Sequence, residues 1–162
     1  MDDGNAVRTV AELMLLSMKT APKAIGRDTL AYMIATEEEK RQVVTGMESI
    51  NKRNWDRDAK TIRKAELLVL IGVKAADASE SLGGRIDVSN IDPQLKGEIC
   101  PMRLIDLGIA VGSAVKTASL HNVDNRVTWR AGLIAASLGI IDAAIAIAIP
   151  LSATEKSIFF DR

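Results

Sequence analysis

Apolar residues follow two rhythms along this chain, one helical and one of unbroken short runs. Val7, Val10, Ala11, Met14, Leu15 and Met18 fall three or four positions apart, which puts them on one side of a first helix. Ala21-Pro22 ends it, because the residue before a proline avoids the α region. TLAYMIA (residues 29–35) predicts a short strand. Thr36 and Glu39 then have the spacing of a capping box, opening a helix that turns Val43, Val44, Met47 and Ile50 inward. A polar joint, NKRNWDRD, leads to further helical turns through about Ala65. LLVLIGV (residues 67–73) is apolar without alternation, the mark of a strand covered on both faces. Pro101 suits the first position of a helix that runs to about Leu120. Asp124 is placed to cap the next, over residues 125–138, which Leu138-Gly139 closes. AAIAIAI (143–149) reads as a third buried strand and SIFF (157–160) as a short fourth.

This order predicts an α+β fold: a mixed sheet of about four strands with helices packed on its faces, forming a single domain over residues 1–162. Residues 75–99 hold Gly83-Gly84, Pro93 and Gly97 without a sustained period. They read as a long loop, and loops beyond about 12–15 residues are usually functional or disordered. GLIAASLGIIDAAIAIAIPLSA (132–153) imitates a membrane span, but Asp142 stands near its middle. A central carboxylate costs roughly 2.5–3.5 kcal/mol on insertion, so helix, turn and buried strand is the reading, with no membrane partner. Gly108 and Gly112 lie inside the helix that follows Pro101. Each costs about 1 kcal/mol against alanine there, so they point to close backbone approach.

Composition narrows the picture. Aromatics are only 3% of a chain that is 48% hydrophobic, so the core is built from small and aliphatic side chains. Lys+Arg and Asp+Glu tie at 21, which gives no long-range pull on nucleic acid. The acidic start, MDDGNAVRTV, does not resemble an export signal. One cysteine precludes an internal disulfide and fits a reducing cytoplasm. The Phe159-Phe160 tail suggests packing on a second copy, hence a homodimer.

DLGIAVGSAVKTASLHNVDNRV (106–127), AIPLSATEKSIFFDR (148–162), KTAPKAIGRDTL (19–30) and RDAKTIRKAELLVLIGVK (57–74) resemble a family of uncharacterised prokaryotic proteins described as containing a ferredoxin domain. The resemblance implies an iron–sulfur segment with several cysteines, the last just before the DLGIA helix. Here that stretch reads AADASESLGGRIDVSNIDPQLKGEIC, and only Cys100 matches. Residues 75–99 thus stand where the family carries its ligands, and the cluster is not expected to carry over. The chain also resembles flavin-dependent nitroreductases in the Ala-Pro end of its first helix, the loop after it and its later small-residue helix. That resemblance implies FMN, with Lys23, Gly26 and Arg27 in the loop that touches the flavin and Ser152 and Lys156 near its phosphate. The asparagine those enzymes carry after Ala-Pro is Gly26 here, and their arginine-serine motif before the first helix is missing.

Three functions stay open from these residues. The first is a structural or partner-binding domain that has lost its cluster. The second is a small FMN-binding redox homodimer. The third is a thiol enzyme centred on Cys100, whose position before a helix N-terminus favours thiolate. No metal ligand set is found. His121 is the only histidine, and about 30 Å of helix separates it from Cys100, so the two cannot form a dyad within one subunit. Asn122, Asp124 and Asn125 read as a turn and cap, with substrate contact as the alternative.

Overall fold

A computed structural model describes residues 3–76 and 83–160. The helices are α1 (Asp3–Thr20), α2 (Glu37–Ser49), α3 (Arg53–Lys64), α4 (Pro101–Leu120) and α5 (Trp129–Ser137). The strands are β1 (Leu30–Ile34), β2 (Leu67–Val73), β3 (Ile86–Asp87), β4 (Glu98–Ile99), β5 (Asp124–Asn125) and β6 (Ile145–Ser152). Four strands form one sheet in the order β1-β2-β6-β5, and β3 pairs with β4 separately.

The fold is α+β, with one correction: the sheet is antiparallel throughout rather than mixed. β2 is its centre, and its alternation divides the core. Val69, Ile71 and Val73 join Val10, Met14 and Met18 of α1 and Leu107, Ala110 and Ala114 of α4. Leu68 and Leu70 join Val43, Val44 and Met47 of α2, Ile62 of α3 and Ala131 and Ala135 of α5. Successive side chains of a strand point to opposite faces, so a run apolar at every position needs helices on both sides.

Local signals hold in detail. The Thr36–Glu39 capping box is present in both directions, and Gly139 takes a left-handed φ of 68° just after α5. Two termini differ from expectation. Asp124 does not cap α5; it pairs with Ser152 in β5, and Thr128 is the N-cap. The SIFF run is a turn, not a strand. β6 also continues past residue 149 through Pro150 to Ser152. Ala148 exchanges both backbone hydrogen bonds with Thr128, so two residues on, Pro150 turns its missing N–H away from β2 and leaves that ladder whole.

The described part of residues 75–99 is not bare loop. It contains β3, a 3-10 turn at Val88–Asn90 and β4, and Val88, Leu95 and Ile99 are buried in the α1–α4 core. Among the described residues, no helix is long and apolar enough to cross a membrane.

Candidate functional site

The turn between α1 and β1 holds two consecutive residues in the left-handed region. Ile25 has φ 53° and ψ 20°, and Gly26 follows at φ 67°. Among the described residues, the other non-glycine positions with positive φ are Asn51 and Asn122, a type that tolerates this region. A β-branched residue there costs about 1–2 kcal/mol, yet Ile25 is 74% exposed.

A buried ion pair on α4 holds the turn. Arg103 is 1% and Asp106 2% exposed, and their closest oxygen and nitrogen lie 2.8 Å apart. The Ala24 N–H donates to Asp106 Oδ1 at 2.8 Å. Arg103 Nη1 donates to the carbonyls of Ala24 and Arg27 at 3.2 and 3.1 Å. These two residues were not singled out from the sequence. Their signal was present: Arg103 and Asp106 share one face with Leu107 and Ala110, where the helical pattern calls for apolar side chains.

Lys23 does not reach into open space. Its ammonium donates to the carbonyls of Met18, Lys19 and Ala21 at 2.6, 2.8 and 3.0 Å, satisfying the carbonyls left over at the end of α1. It also lies 3.6 Å from Asp28. Burial, then the Asp28 carboxylate, push the neighbouring Tyr32 phenol above its ordinary value. Gly26 has nothing within 4 Å of where a Cβ would be, and Arg27 is exposed beside it.

Ser152 and Lys156 sit elsewhere. The turn precedes the sheet end where Leu30, Val73 and Ile145 align, while Ser152 lies just past the opposite end, where Leu67 meets Leu151. Seven residues of β2 separate the ends, about 20 Å at 3.4 Å per residue. Ser152 is buried, with its hydroxyl 3.4 Å from that of Thr154, and Lys156 is exposed. Nearby, Asn122, Asp124 and Asn125 line a cleft of about 460 Å³ with Ser119, Ser157 and Phe159. One subunit therefore does not bring the two sets together. The element that links them is α4, which begins at the turn and ends at β5.

Cys100 is fully buried as the N-cap of α4, and its side chain caps no backbone group. Its burial shields the thiol from reagents in solvent. In native protein its reaction with a thiol reagent should be slower than in urea by about three orders of magnitude or more, because exposure requires opening the core. Labelling at the free-thiol rate would refute that burial. His121 follows the unbroken α4 as its C-cap, so the two stay a helix length apart.

Residues 96–162 match the family described as "Uncharacterized protein containing a ferredoxin domain (DUF2148)". A protein of Archaeoglobus fulgidus, described as an uncharacterized protein, is 36% identical over 96% of this chain and 91% of its own length. The chain belongs to this ferredoxin-domain family. Its fold is shared with nitroreductases. A nitroreductase family protein from Clostridium novyi superposes with a TM-score of 0.62 at 14% identity, covering 93% of this chain and 78% of that one. A nitroreductase with bound FMN from Desulfitobacterium hafniense gives 0.53 at 14% identity, over 97% and 81%. Nitroreductase A from Vibrio parahaemolyticus gives 0.60 at 12% identity, and this chain, 92% covered, spans 59% of its length.

The donor set of this family member does not suit a ferredoxin cluster. Such clusters are held by about four thiolates, and the sequence has one cysteine. Among the described residues no three His, Cys, Asp or Glu side chains gather as metal ligands. The uncrowded Gly26 backbone and exposed Arg27 lie at one end of α4, and exposed Lys156 at the other.

Proposed function

We propose that this protein is a cytoplasmic homodimer that binds FMN between its subunits, in a lineage that no longer carries the iron–sulfur ligands implied by its family. The observation that carries this reading is the exposed face of α4. Met102, Ile105 and Ile109 are 38%, 54% and 41% exposed on it, and Gly108 and Gly112 have no neighbour within 4 Å of an added Cβ. Nothing among the described residues packs on those glycines. They bracket the midpoint of α4. A second α4 crossing antiparallel there meets two backbones at close range, and a two-fold axis makes the contact self-complementary.

That arrangement also answers the separation of the two residue sets. Antiparallel α4 helices lay the start of one beside the end of the other. The 23–28 turn of one subunit then approaches residues 152–156 of its partner, and the pair has two equivalent sites. Gly26 and the Ile25 side chain would meet the flavin ring, while Arg27 and Lys156 would draw its phosphate. Lys23 serves instead as a brace for the turn. Bound FMN would supply hydride and single-electron transfer.

Titrating FMN into the protein, with its flavin emission as readout, should give one site per subunit, and sedimentation should give a dimer. Gly112→Leu should convert the dimer to monomer and weaken FMN binding by about tenfold or more, a change of 1.4 kcal/mol. A monomer that leaves FMN emission untouched would remove the proposal. The engagement of Lys23 with α1 favours a second reading, a partner-binding domain without cofactor that uses the same face of α4.

A further inference from the structure

We propose that Arg103 and Asp106 are positioning residues for the flavin-contacting turn: the buried pair fixes residues 24–27 so that Ile25 faces outward. This rests on the FMN reading above and goes further by assigning a role to two residues that would not touch the cofactor.

Three observations lead there. Three hydrogen bonds of the pair's side chains, from Ala24 N–H to Asp106 and from Arg103 to the carbonyls of Ala24 and Arg27, end on the turn backbone. They couple the conformation of this loop directly to α4. Next, a buried ion pair rarely adds net stability over an apolar pair of equal volume, so the fold alone does not account for it. Last, the turn displays a β-branched side chain at φ 53° with 74% exposure. A glycine would relax the backbone there, and exposure so high leaves the side chain few contacts within the chain. Such strain persists only where surrounding structure over-determines it, and Arg103 with Asp106 supplies that determination. The product of the device is a preformed apolar contact for a flat ring, with Gly26 leaving its other side open.

The test replaces both charges at once, Arg103→Met with Asp106→Leu, and adds Ile25→Gly separately. For the double variant we expect a melting temperature within a few degrees of the unmodified protein. Backbone amide exchange over residues 24–28 should rise about tenfold or more while the strands stay protected, and FMN should bind about tenfold more weakly or worse. Ile25→Gly should melt higher, yet also bind FMN more weakly. Unchanged exchange in the turn, or FMN affinity equal to that of unmodified protein, overturns the proposal. So does loss of protection across the whole chain, since the pair would then be holding the core. If the unmodified protein does not bind FMN at all, the FMN reading falls by itself, and the exchange measurement still decides whether the pair governs the turn.

Discussion

Asp106→Leu by itself is expected to destabilise the protein by about 3–5 kcal/mol, the usual cost of breaking one side of a buried ion pair. Arg103 is 1% exposed and its guanidinium cannot shed its proton, so its charge would stay inside without its carboxylate. The Ala24 N–H would lose its acceptor at the same time. Typical domains hold only about 5–15 kcal/mol in total, so much of the folded margin would go. Urea unfolding followed by far-UV circular dichroism should show the midpoint falling with an unchanged slope. Adding Arg103→Met to this variant should return most of the loss, because residues sharing one network are strongly non-additive. A single variant as stable as the unmodified protein would mean that the pair is not desolvated.

Gly132→Ala is the second large effect, and it comes from crowding. A Cβ at Gly132 would lie 2.2 Å from the Ala146 carbonyl oxygen, 2.5 Å from its carbon and 2.5 Å from Ile147 Cα. All three atoms belong to the backbone of β6, which is paired with β2 along seven residues. No side chain can swing aside; α5 must lift from the sheet or the register must yield. Overpacking costs about 1–3 kcal/mol and sometimes more, and here we expect the top of that range or beyond. Gly112→Ala is the control, since nothing lies within 4 Å of its Cβ. In an isolated subunit it should gain up to about 1 kcal/mol from helix propensity. Thermal unfolding of the two variants at low concentration compares them directly. A normal melting temperature for Gly132→Ala would show α5 standing farther from β6.

Those glycines also show what the sequence could and could not disclose. Gly108 and Gly112 read as sites of close approach in the sequence, but among the described residues nothing crowds an added Cβ at either. β2 was legible to the residue, because an apolar run flanked by polar residues leaves no choice of boundary. Strand direction was not legible, since a run buried on both faces looks alike whether its neighbours are parallel or antiparallel. β6 was expected to end before Pro150, because a proline usually stops a strand; its place on the side facing away from β2 depends on pairing that only the tertiary structure supplies. Within the candidate site, the turn itself was foreseen from Ala21-Pro22 and Gly26. Lys23 was cast as a ligand-facing cation, since spacing cannot tell a cation that turns back on its own helix from one that reaches out. Arg103 and Asp106 are easily passed over because they sit in the first half of α4, residues 101–112, whose composition is otherwise apolar.

Both tryptophans lie on one side of the sheet, Trp55 on α3 beneath the Arg130 guanidinium at 5.9 Å and Trp129 at the start of α5. α1 and α4 carry neither. Indole emission therefore reports unevenly on the molecule: Trp129 starts α5, whereas Trp55 packs against both core clusters, so Trp55 is the indole placed to sense an opening of α1 and α4 as well as a loosening of α3.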